Sequence, residues 1–135
     1  MATPDDVHLP IAVKAMNAGK HVVCEKPAAL DSRQFAEMLA CAEKNGVLFT
    51  VHQNRRWDED FLAVKEIYDK NTLGAVFNIE SRVHGSRGIP GDYRNVYDAV
   101  LHDAELIVKP SEVMRVMQVM EAIFESVALG QAVSL

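Results

Sequence analysis

The chain has 135 residues, 49% of them hydrophobic and 24% charged, a size and balance suited to one soluble domain with its own core and with no disordered tract. Its formal net charge of −5 and pI near 5.5 argue against a nucleic-acid surface, which needs clustered Lys and Arg; the only basic pair is Arg55-Arg56. No apolar run approaches the roughly 20 residues of a membrane span, and the start MATPDD lacks the basic and apolar regions of a signal peptide, so a cytoplasmic setting is expected.

Taken in chain order, Asp5 and Asp6 precede a helix on which Val7, Ile11, Ala15 and Ala18 fall at helical spacing, with Pro10 in the tolerant first turn and Gly19 as its stop. Strand His21 to Cys24 follows at once. Asp31 and Gln34 have capping-box spacing for a helix that carries Phe35, Met38, Leu39 and Ala42 and ends at Gly46. Val47 to Val51 reads as a second short buried strand. Two strands alternating with helices predict a parallel α/β unit.

Beyond Asn54 the pattern changes. Asp58 to Lys70 predicts an amphipathic helix closed by Leu73-Gly74, and Val76 to Val83 alternates with period 2, as in a sheet with one solvated face. Gly85, Gly88, Pro90 and Gly91 mark a loop, and Tyr93 to His102 a short helix. The last helix, from Ser111 to Leu129, carries the apolar stripe Val113, Val116, Met117, Met120, Phe124 and Val127, a pattern that must dock on a core. Cys24 and Cys41 have no CxxC or Cys/His spacing and read as buried free thiols. The five histidines show no HxxxH or HxH pair, so no metal site is expected.

The stretch HVVCEKP, His21 to Pro27, carries the most chemistry. A strand ending at Cys24 delivers Glu25 and Lys26 to its carboxyl end, where open α/β sheets take their ligands. Together with TPDD at Thr3 to Asp6 and HQNRRW at His52 to Trp57, this stretch resembles the Gfo/Idh/MocA family of NAD(P)-dependent oxidoreductases. From Tyr93 onward, YRNVYDAVLHDAELIVKPSEVMRVMQVMEAIFES resembles that family's carboxyl-terminal tail. The resemblance implies an α/β fold: a partial Rossmann-like doubly wound parallel sheet with a remnant of a second α+β domain. It divides the chain into a dinucleotide-binding part over 1–57, the start of a substrate domain over 58–92, and a helical tail over 93–135 that packs on the remainder. No GxGxxG occurs in these residues, and no DxGxH-type motif, so the expected chain is a truncated one that lacks the family's glycine-rich turn and most of the substrate-domain sheet.

By the same resemblance Lys26 is the catalytic residue, an ammonium beside the nicotinamide and the reacting oxygen. Glu25 would bond the cofactor ribose, Pro27 would hold a rigid turn, cis or trans, and Thr3 and Pro4 would lie near the nicotinamide half of the cofactor. Asn54, Arg55 and Trp57 would bind substrate. Apart from the resemblance, each has an ordinary reading: a solvated lysine, turn and helix-cap chemistry, a surface ion pair. Two functions follow. One is hydride transfer between NAD or NADP and a sugar-like or cyclitol-like alcohol, with a chain inactive alone; the other is a non-enzymatic assembly module that keeps the scaffold and self-associates through unpaired sheet edges.

Overall fold

The computed structural model describes residues 3–80 and 93–134. The loop predicted from Gly85 to Gly91 and the end of the predicted strand, Ser81 to Val83, lie outside the described residues. The chain forms two compact units, one of Met1–His52 with Tyr93–Leu135 and one of Gln53–Asp92.

In the first unit a 3-10 turn at Asp5–Val7 leads into α1 (His8–Asn17), β1 (Val22–Cys24), α2 (Ser32–Asn45) and β2 (Phe49–Val51). The strands pair in parallel, Val22 with Phe49, Val23 with Thr50 and Cys24 with Val51. The ladder extends one bond past each end: Val22 N–H donates to the Leu48 carbonyl and His52 N–H to the Cys24 carbonyl, each at 2.8 Å. This is the α/β, Rossmann-like arrangement expected, reduced among the described residues to two strands.

Helix α2 begins where the sequence places it. Gln34 N–H donates to Asp31 Oδ1 at 2.6 Å, satisfying one of the open donors of the first turn, and Gly46 ends the helix at φ +60°. The return half of the predicted box differs, because Gln34 Oε1 accepts from Leu30 N–H at 3.4 Å rather than from Asp31. Phe35, Met38 and Ala42 are buried, and the Phe35 ring tilts against Phe49 at 5.7 Å.

Helix α1 turns a different face inward from the one predicted. His8, Ala12 and Met16, spaced four apart, have no exposed surface, whereas Ile11 is exposed. Apolar residues occur all around this helix, so periodicity alone could not choose the stripe, and the buried face is the one that meets α2 and the β1 turn.

The remaining helices of this unit are α4 (Arg94–His102) and α5 (Pro110–Leu129), with α3 lying between them and β2 in the chain. Asn95 braces the segment after α4: its amide donates to the Glu105 carbonyl at 2.9 Å, and its oxygen accepts from Ile107 N–H at 2.8 Å. Thr50 Oγ1 donates to the Val108 carbonyl at 3.4 Å, tying that segment to β2. Helix α5 docks on α2 and β2 through Val113 and Met117, both buried. Its other half does not dock as the stripe predicts, for Phe124 and Val127 are 72% and 77% exposed. A 20-residue helix extends about 30 Å, longer than the 14-residue α2 it packs on. Glu121 accepts from Ser32 N–H at 2.6 Å, placing a carboxylate at the positive end of α2.

The second unit holds a 3-10 turn at Asn54–Trp57 and α3 (Glu59–Asp69), which ends before the left-handed Gly74 at φ +69°. Ion pairs Lys65–Asp69 and Lys70–Glu66 run along the helix surface. The period-2 segment does not form a strand over residues 76–80, because no described backbone pairs with it. An alternating sequence makes a strand only when a neighbour supplies the ladder. Val76, Asn78 and Ile79 instead border a cavity of about 220 Å³ with Val64, Ile67 and Tyr68 of α3.

Candidate functional site

The parallel register builds the site. With Cys24 opposite Val51, the next residues, Glu25 and His52, leave adjacent strands side by side at their carboxyl ends. His52 Nδ1 donates to Glu25 Oε1 at 2.8 Å; the imidazole side chain is 10% exposed and the carboxylate 33%. The Tyr93 ring stacks on the imidazole with centroids 4.6 Å apart and planes 20° from parallel, its hydroxyl 3.4 Å from Nδ1. Partial burial pushes the Glu25 carboxyl up, but the His52 hydrogen bond and charge, the Lys26 ammonium and the Lys26 backbone N–H together outweigh it. Glu25 is held below its ordinary carboxylate value.

Lys26 follows with its side chain exposed, and the Lys26–Pro27 bond is cis, one of the two forms the sequence left open. The turn is held from behind by His8. This fully buried imidazole stands between two carbonyl oxygens, Nδ1 3.0 Å from that of Pro27 and Nε2 2.9 Å from that of Thr3. Thr3 and Pro4, just ahead of the first 3-10 turn, are thereby tied to Pro27. Cys24, beneath the turn, points its thiol at the Ala28 carbonyl, 3.7 Å away, and burial pushes that thiol up to about 11. It is a packed core group. Cys41 differs from the sequence reading in being only half-buried.

Two side-chain atoms of this unit are buried without a hydrogen-bond partner among the described residues, Thr3 Oγ1 and His52 Nε2. They flank the Glu25–Pro27 turn in connectivity, one linked to it through His8 and the other through Glu25. In the second unit Asn54, Arg55 and Trp57 share the 3-10 turn after β2. Arg55 Nη1, on an exposed side chain, donates at 3.3 Å to Oδ2 of Asp58, whose side chain is largely buried, while Asn54 Oδ1 and Asp58 Oδ1 are buried and unpartnered among the described residues. No cluster of three or more metal-ligating side chains occurs among the described residues, and no described helix is long and apolar enough to cross a membrane.

Sequence reasoning missed His8, His52 and Tyr93. His52 was legible in principle, since two parallel strands ending at Cys24 and Val51 place the following residues together. His8 carried a weaker signal, its four-residue spacing to Ala12 and Met16. Tyr93 carried none, being brought to the imidazole from 41 residues away.

Residues 1–53 match the NAD-binding Rossmann-fold model of an oxidoreductase family, and residues 35–135 match the same family's carboxyl-terminal alpha/beta domain. An uncharacterized oxidoreductase of Schizosaccharomyces pombe is 46% identical over 81 residues, which is 60% of this chain and 22% of that protein. The scyllo-inositol 2-dehydrogenase (NADP(+)) of Bacillus subtilis is 37% identical over 73 residues, 54% of this chain and 20% of the relative. Among solved structures, an NAD-binding protein from Listeria innocua superposes with a TM-score of 0.61 at 46% identity, covering 81% of this chain and 30% of its own. A Klebsiella pneumoniae oxidoreductase gives 0.53 at 46% identity, over 55% of this chain and 22% of its own. The chain thus spans about a fifth of the length of the curated relatives it matches first. Matched by both of that family's domains, the chain belongs to the Gfo/Idh/MocA oxidoreductases.

Proposed function

We propose that this chain supplies the nicotinamide-side rim of a hydride-transfer site acting on a cyclitol-like or sugar-like alcohol, in a cytoplasmic setting. The observation that carries the reading is the turn after β1, which sets an ionised Glu25 beside an exposed Lys26 at the carboxyl end of a parallel sheet. The cyclitol class rests on relatives whose names are inositol dehydrogenases.

The residues present fit the nicotinamide end of NAD or NADP. Lys26 offers an ammonium to an oxygen, Glu25 retains exposed carboxylate surface for a ribose hydroxyl, and Thr3 Oγ1 is a buried polar atom in want of a partner. Pro4 and Pro27 fix the two backbone segments that carry them. A bound nicotinamide supplies or accepts the hydride; Lys26 orients the reacting oxygen and stabilises negative charge that develops on it. Asn54, Arg55 and Trp57 are proposed to bind substrate, a role supported by the unpartnered Asn54 Oδ1. The 135 residues contain no GxGxxG turn for the pyrophosphate, so the isolated chain is expected to bind dinucleotide weakly and to turn over no polyol.

Titration calorimetry of the chain with NADH and with NADPH, beside Lys26→Ala, tests this reading. Weak binding that Lys26→Ala abolishes supports it; no binding at millimolar cofactor removes it. A second reading, a self-associating scaffold module, is favoured by one observation. The outer face of α5 leaves Ile123, Phe124 and Val127 exposed beside a cavity of about 350 Å³ bordered by Val119, Ala122 and Val133. A second copy of the same helix would cover it in a two-fold pair. Sedimentation that shows only monomer at high micromolar concentration excludes that reading.

A further inference from the structure

We propose that His52 Nε2 is a docking point for a hydroxyl hydrogen of the ligand taken at the Glu25–Lys26 turn, with Glu25 fixing the imidazole so that this nitrogen presents its lone pair. The inference deepens the hydride-transfer reading and rests on it for the placement of the ligand.

An ionised carboxylate can only accept, so the hydrogen between the two residues sits on His52 Nδ1, and in the neutral ring Nε2 is the acceptor. That acceptor is buried and has no donor among the described residues. A buried polar atom left unpaired is destabilising, so an acceptor held in this way calls for a donor. The nearby hydroxyl, that of Tyr93, does not meet the need, since it approaches Nδ1. The Tyr93 ring, itself 51% exposed, stacks over the face of the imidazole.

The donor set selects the ligand class. Lys26 donates to an oxygen and His52 Nε2 accepts from one, so a neutral polyol satisfies both. A simple carboxylate brings no hydrogen to Nε2 and meets the negative charge of Glu25. The arrangement matches the logic of a carboxylate that sets the tautomer of a histidine so that its far nitrogen is the working one.

The test is a ring-nitrogen correlation spectrum of the full chain labelled with 15N-histidine, recorded at about pH 8.5, above the ordinary imidazole range. The expected result is a His52 ring with hydrogen on Nδ1 and a bare Nε2 whose resonance moves upfield on adding myo-inositol but not succinate. Glu25→Gln should shift hydrogen to Nε2 and weaken the response several-fold. Hydrogen on Nε2 in the unaltered chain, or an Nε2 resonance unmoved by myo-inositol, overturns the inference whether or not NADH binds. Loss of NADH binding with the myo-inositol response intact removes only the cofactor reading.

Discussion

His8 Nδ1 lies 3.0 Å from the carbonyl oxygen of Pro27, nineteen residues further along the chain, and its other ring nitrogen reaches the carbonyl of Thr3. One buried side chain therefore ties the amino-terminal segment to the turn that carries Lys26. A neutral imidazole has one N–H to give, so His8→Ala takes the donor from one of the two carbonyls, at a cost of about 1–3 kcal/mol. Urea unfolding should show a loss in that range or above it. His102→Ala, at an exposed histidine that meets Asp98 and, edge-on, the ring of Tyr97, should change stability by less than about 1 kcal/mol.

The two halves of α5 should respond differently to truncation. Met117 is buried against the α/β layer, so Met117→Ala is expected to cost about 2–5 kcal/mol in a denaturant melt. Phe124 is 72% exposed, and Phe124→Ala should leave the melt of the single chain within about 0.5 kcal/mol of the parent. If the chain self-associates through this face, the same substitution weakens the association in sedimentation while the melt of dilute protein is unchanged.

Acid should loosen the Glu25 turn. The carboxyl is held below its ordinary value of 4.5 in the folded chain, so the unfolded chain takes up its proton first as pH falls. The stabilisation is therefore fully present above the unfolded value and is lost as pH drops from about 4.5 through the lower folded value. Urea midpoints measured from neutral pH to pH 3 should fall more steeply for the parent than for Glu25→Gln. Parallel curves would show that the His52 contact contributes nothing to folding.

The cysteines should separate by reactivity. Burial raises the Cys24 thiol to about 11 and excludes reagent, whereas Cys41 is half-buried at the surface of α2. Iodoacetamide at pH 8 should label Cys41 alone in the native chain and both in urea, as read by peptide mass mapping. The Cys24 proton also couples to folding at the alkaline end. Stability is whole below the ordinary thiol value of 9.0 and declines as pH rises toward 11.

Local chemistry in the sequence was enough to place much of the fold. Asp31 and Gln34 mark the start of α2 because a carboxylate meets an unpaired backbone donor three residues on, and Gly46 marks its end because the chain there turns left-handed. Both parallel strands and the turn bearing Glu25, Lys26 and Pro27 were legible for similar reasons, and the EKP run carried the family. Tertiary structure decided what depends on contacts remote in sequence. Which face of α1 enters the core was set by what His8 meets, the carbonyls of Thr3 and Pro27, and not by a periodicity that apolar residues on every side had blurred. Residues 76–80 alternate like a strand and form none, since a strand exists only through its partner. The stripe on α5 is continuous in sequence, yet only Val113 and Met117 find a surface. The Glu25–His52–Tyr93 cluster joins one strand end, the next strand end and a helix start 41 residues later, a conjunction that arises only when parallel pairing fixes the register and the tail folds back on it.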